Sequence, residues 1–162
     1  MSEKNKLALA VQYSDPRLKD SITRAKLRRW VQASLFAPAE LTIRFVDADE
    51  GRQLNKDYRG KDYATNVLTF AYGDDVLGDA EMSADEPTRA DIILCTDALL
   101  REASEQGKTL EAHTMHLVIH GVLHAQGYDH ESEEEAGEME GIETDILAAL
   151  GVANPYLVDT AR

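Results

Sequence analysis

Every segment of this chain that reads as a β-strand lies before residue 96, and everything beyond reads as helix. LALAVQY (7–13), ELTIRFVD (40–47), NVLTFAY (66–72) and ADIILC (90–95) are short, apolar and rich in β-branched or aromatic residues, the composition that suits a pleated, half-buried surface. Between the first two, Ser14-Asp15-Pro16 pairs a capping residue with proline and predicts a helix start. Leu18, Ile22, Leu27, Trp30, Val31 and Leu35 give that helix one apolar face. ADEGRQLNKDY (48–58) predicts a shorter helix ending near Gly60. From Thr96 three helices are expected, with Gly107, Gly127 and Gly151 at their ends, where glycine accepts a left-handed backbone. Ser132 and Glu135 are spaced as a capping box for the last of them. This order predicts an α+β fold in which a roughly four-stranded mixed sheet packs with about five helices.

A length of 162 residues suits one domain, taken as 1–162, with a core large enough to need no disulfide. The 43% hydrophobic and 29% charged content places it with soluble globular chains rather than disordered or membrane ones. No apolar run approaches the ~18 residues of a membrane span. The lysines and short apolar stretch at the N-terminus lack a cleavage pattern and read as a strand. Cys95, the single cysteine, sits inside ADIILC and reads as a buried hydrophobe rather than a nucleophile. A cytoplasmic protein with no membrane partner is expected. GDDVLGDAEMSADEPTR (73–89) reads as a surface loop within the domain.

The net charge of −13 argues against general nucleic-acid affinity, but it is unevenly placed. Residues 1–70 carry a net +4 and residues 71–162 a net −17. A polyanion can therefore meet the first half while the acidic half faces away. The simpler reading of the acidic half is solubility.

All five histidines fall in EAHTMHLVIHGVLHAQGYDH (111–130). His120 and His124 are four apart, which on a helix puts both imidazoles on one face. Gly127 can end the helix and bring His130 back from the following turn. Three imidazoles from a rigid helix and a loop are what an open tetrahedral zinc site needs, with water in the fourth position. A structural zinc site is normally closed by four ligands, often cysteines, and the one cysteine here is far away in sequence. The competing reading is a chance gathering of core or surface histidines. His113 and His116 lie on nearly the same helical side, as outer partners, spare ligands or ordinary partly buried histidines. His116 in place of His130 would put all three ligands on one helix, spread over about 12 Å of axis.

The spacing H-x3-H-x2-G-x2-H is also that of the metzincin zinc proteases. Their general base is a glutamate directly after the first histidine, and here that position is Gly121. Asp129 and Glu131 are close in sequence but do not occupy the helix position that aims a carboxylate at the water. The metal chemistry stands; a peptidase is the weaker reading.

HGVLHAQGYDH (120–130) resembles the signature of the YbeY family of bacterial endoribonucleases, which act in ribosomal RNA maturation and ribosome quality control. LNKDYRGKDYATNVLTF (54–70), ADIILC, EASEQGK (102–108) and EMEGIETDILAALGVANPY (138–156) extend the likeness over about residues 40–156. Ala90, in place of a glycine, and Ala125-Gln126, in place of two apolar residues, depart from the pattern, and Gln126 bears on the cleft wall. The resemblance implies a zinc ion held by His120, His124 and His130 in a cleft of an α+β fold, and single-stranded RNA as substrate. It also implies ribosomal RNA and ribosomal particles as partners, with no DNA, and a role for Arg59. A guanidinium grips phosphate through two hydrogen bonds and offsets developing charge. Lys61 beside it adds a point charge for the RNA backbone. Histidine ligands suit nickel as well as zinc, and both water and a ribose 2′-OH remain open as nucleophile. The expected function is a zinc-dependent endoribonuclease. A ribosome-binding assembly factor of weak catalysis and a zinc peptidase are the alternatives.

Overall fold

Leu7, Leu9, Val11 and Tyr13 turn inward while Ala8, Ala10 and Gln12 are exposed, so β1 (Leu7–Tyr13) has one face on the core and the other open. The computed structural model describes residues 6–62, 65–72, 88–127 and 133–151, without the side chains of residues 59, 71, 72, 133 and 135. Beside β1 runs β2 (Ala39–Val46), then β4 (Thr88–Cys95), with β3 (Val67–Tyr72) on the far edge. β1–β2 and β2–β4 are parallel, β3–β4 antiparallel, and the sheet is therefore mixed as expected. β4 is central, and its buried run Ile92–Cys95 reflects cover on both faces. Cys95 is buried with it, and burial pushes its thiol up from the ordinary value.

Among the described residues five α-helices accompany this sheet: α1 (Arg24–Ala33), α2 (Ala48–Arg59), α3 (Thr96–Gln106), α4 (Leu110–Ala125) and α5 (Glu133–Ala149). Leu41, Ile43, Phe45, Ala90, Ile92 and Leu94 form one core with Leu27, Trp30 and Val31 of α1, Val118, Ile119 and Val122 of α4 and Leu147 of α5. On the other face Val46, Leu68 and Ile93 form a smaller cluster with Leu54 of α2 and Phe70. The architecture is α+β.

The helix expected to open at Ser14-Asp15-Pro16 is two pieces. The Asp15 carboxylate accepts from the Arg17 backbone N–H at 3.1 Å and pairs with its guanidinium at 2.6 Å, winding Pro16–Leu18 into a single 3₁₀ turn. The α-helix begins only at Arg24, where Thr23 Oγ1 accepts from the Lys26 N–H at 3.3 Å. Leu18 and Ile22 are buried nonetheless, because the turn lies on the same core. Gly60 and Gly107 close α2 and α3 at φ 71° and 65°, which an L side chain would resist. The strand expected from residue 90 starts at Thr88, two residues inside the expected loop, whose remainder lies outside the described residues. Ser132, the expected cap of α5, also lies outside them. No described helix is long and apolar enough to cross a membrane.

Candidate metal centre

α4 is the hub of the fold, in contact with α1, α3, α5, β3 and β4. Thr109 caps it by accepting from the Ala112 N–H at 3.0 Å. Between Ala112 and His124 it is buried at every position except one line, 112, 116, 120 and 124. That i, i+4 line is where side chains of one face stack, and here it carries His116, His120 and His124. A stretch of helix otherwise buried thus opens one partly exposed seam and fills it with imidazoles. The His120 and His124 rings are neighbours, with centroids 6.3 Å apart and planes tilted by 49°.

Gly121 faces the other way. A Cβ there would lie 3.0 Å from Ile92 Cγ2 and 3.3 Å from Thr69 Oγ1. The position that carries the base in metzincins is pressed against the sheet, and no carboxylate fits it.

The histidine seam faces α5. Glu143, fully buried, is hydrogen-bonded to both His116 Nε2, at 2.8 Å, and His120 Nδ1, at 2.7 Å. Beside them lies a cavity of about 390 Å³ walled by Asn66 and Val67 at the start of β3, His116 and His120, and Met139 and Glu140 of α5. A second hollow, of about 420 Å³, lies on the open sheet face over Ala8, Ala10 and Thr42 and contains no histidine.

His113 points elsewhere. Its Nε2 is 2.8 Å from Glu102 Oε1, and Glu102 also accepts from the Asn66 carboxamide at 3.0 Å, linking the cavity rim to α3. Burial holds the His113 pKa below its ordinary value, against the opposing pull of Glu102. Of the two histidines whose role was open, His116 therefore joins the site, and His113 is a core residue.

Among the described residues no three His, Cys, Asp or Glu side chains are placed to share one ion. Two of the expected ligands, His120 and His124, come together on α4. The third, His130, lies outside the described residues, as does the Arg59 side chain. The backbone puts Arg59 at the C-terminal end of α2, which is fixed to β3 by the Tyr58–Phe70 ring contact at 5.0 Å. Lys61 follows the Gly60 turn and is exposed. Asn66, five residues after Lys61 in sequence, lines the cavity. Gln126 does not wall the cavity. Its carboxamide donates to Ser34 O at 2.8 Å and accepts from the Phe36 N–H at 2.9 Å, tying the end of α4 to the segment after α1.

Glu143, Glu102 and Asn66 were not singled out by spacing. One signal did exist for Glu143, an acidic residue in the middle of the apolar line Met139, Ile146 and Leu147 of α5.

The sequence profile described as endoribonuclease YbeY matches residues 9–151. The endoribonuclease YbeY of Janthinobacterium sp. (strain Marseille) is 64% identical over 157 residues, 97% of this chain and 99% of that protein. That of Herminiimonas arsenicoxydans is 64% identical over 155 residues, covering 96% and 98%. The solution structure of TM1509 from Thermotoga maritima superposes with a TM-score of 0.52 at 25% identity, over 95% of this chain and 99% of that one. A profile match over nearly the whole fold, together with relatives alike from end to end, shows that this chain belongs to the endoribonuclease YbeY family.

Proposed function

We propose that this chain is a zinc-dependent endoribonuclease that cuts single-stranded RNA, acting in the cytoplasm on ribosomal RNA and ribosomal particles during maturation and quality control. The observation that carries the reading is the pair His120 and His124 on the one open seam that α4 has between Ala112 and His124, with His120 lining a cavity of about 390 Å³. A neutral imidazole pair at i, i+4 fits a zinc ion, and nickel suits the same donors. His120, His124 and His130 would hold it. Zinc bound there supplies a Lewis acid that polarises a phosphoryl oxygen and lowers the pKa of a water toward about 7.

The protein's own residues do the rest. Arg59 grips the scissile phosphate through two parallel hydrogen bonds and offsets the charge that develops on it. Lys61 draws in the neighbouring RNA backbone. The buried surroundings of α4 keep the seam rigid, so the imidazoles need no reorganisation when substrate arrives. Gly121 supports a phosphodiester rather than a peptide substrate, since the peptidase base has no room.

A labelled-RNA cleavage assay on wild type and His124→Ala, with metal content measured on both, tests the reading. Wild type is expected to carry one zinc and cut, and His124→Ala to lose both. A variant that keeps full metal and full activity overturns it. Metal-site variants that restore ribosome maturation in cells lacking the protein would favour an assembly factor instead.

A further inference from the structure

Glu143 divides its two carboxylate oxygens between two histidines and meets them on opposite nitrogens. Oε2 is 2.7 Å from His120 Nδ1, and Oε1 is 2.8 Å from His116 Nε2. An ionised carboxylate only accepts hydrogen bonds, so the proton of each bond sits on the imidazole. In neutral His120 a proton on Nδ1 leaves Nε2, the outer nitrogen, with the basic lone pair. In His116 Nε2 is itself committed to Glu143, and the lone pair is left on Nδ1, the nitrogen nearer the backbone. Two histidines one turn apart on the same seam are therefore made chemically unlike.

The cost of this arrangement argues that it has a use. Glu143 is fully buried, on a helix face it shares with Met139, Ile146 and Leu147. Burying a carboxylate is unfavourable unless it is well bonded, and an apolar residue of similar volume would often be at least as stabilising there. Carboxylates in this relation to a ligating imidazole orient the ring and raise its basicity.

We infer that Glu143 is the positioning residue of this centre: it holds His120 as the Nδ1–H tautomer, so that Nε2 is the ligating atom, and it takes His116 out of the ligand set. The inference rests on the zinc reading above.

The experiment uses the full chain with ¹⁵N-labelled histidine, metal-free and zinc-loaded, together with zinc affinity from competition with a chromophoric chelator. In wild type, His120 is expected to carry its proton on Nδ1 and His116 on Nε2. Glu143→Gln can accept only one of the two bonds and is expected to bind zinc about 10–100-fold more weakly. His116→Gln, which can still donate to Glu143, is expected to keep one zinc with affinity within a few-fold of wild type, and it provides a test should Glu143→Gln fail to fold. A His120 proton on Nε2, wild-type affinity in Glu143→Gln, or loss of zinc in His116→Gln would each overturn the inference while the zinc reading stands. A wild-type chain that binds no zinc sinks both.

Discussion

Gly121 of α4 packs against Ile92 of β4, and a Cβ on Gly121 would lie 3.0 Å from Ile92 Cγ2. The helix propensity of alanine favours Gly121→Ala by about 1 kcal/mol. Over-packing of about 1–3 kcal/mol opposes it, because Ile92 is wholly buried and has nowhere to retreat. A net loss of about 1 kcal/mol in urea unfolding is expected. Adding Ile92→Ala, which removes the obstructing methyl, should make the two changes sub-additive. Strict additivity would show that the contact is not the cause.

Arg59 and Lys61 are expected to fail in different ways. Arg59→Ala should lower kcat by about 100-fold or more, the scale on which a transition-state charge partner is missed. Arg59→Lys should restore little, since an ammonium cannot make the paired grip of a guanidinium. Lys61→Ala should chiefly raise KM and flatten the log–log salt dependence of binding by about 0.7 for a single strand. Steady-state cleavage of a labelled single-stranded RNA at several salt concentrations measures all three, and equal kcat losses for Arg59 and Lys61 would refute the division.

What the sequence made legible is what local chemistry decides. The four strands follow from runs of β-branched and aromatic residues, and Gly60 and Gly107 end their helices as expected because only glycine takes positive φ readily. His120 and His124 share a face because helical spacing requires it. Other features depend on partners distant in sequence. The insertion of β4 between β2 and β3 is a long-range pairing that no window reveals. The 3₁₀ turn at Pro16–Leu18 is tied to α3 by the Arg17–Asp97 pair at 2.8 Å, 80 residues apart, which no local signal reveals. Glu143 lies 23 residues from His120 and 27 from His116; inside EMEGIETDIL it reads as one more solvated acid, and only its apolar neighbours in helical register mark it as buried.

His113 should make stability depend on pH. Burial holds its pKa below the ordinary 6.5, so the unfolded chain binds this proton more readily than the folded one. Stability from this group is therefore fully present above pH 6.5 and is lost as pH falls below 6.5 toward the folded-state pKa, by at most about 1.4 kcal/mol per pH unit. His113→Gln keeps a donor for Glu102 and cannot become charged. Urea unfolding between pH 7.5 and about 5 should show a steeper fall for wild type than for the variant. Parallel curves would mean that His113 is not held neutral.

Zinc should stabilise the chain only through its true ligands. A metal that binds the folded state alone raises stability by about 2.7 kcal/mol at 100 times its Kd. Wild type should show a rise of this size in unfolding free energy when the metal-free protein is titrated with zinc, and chelation should reverse it together with RNA cleavage. His124→Ala, which removes a ligand from a partly exposed position and so leaves the core intact, should fold without zinc and gain nothing from it. His116→Gln should gain as much as wild type, since Nε2 of His116 is engaged by Glu143 rather than offered to the ion. The contrast separates the two histidines by a quantity independent of catalysis. Equal loss of the zinc-dependent rise in both variants would put His116 back among the ligands and leave the whole metal site on α4.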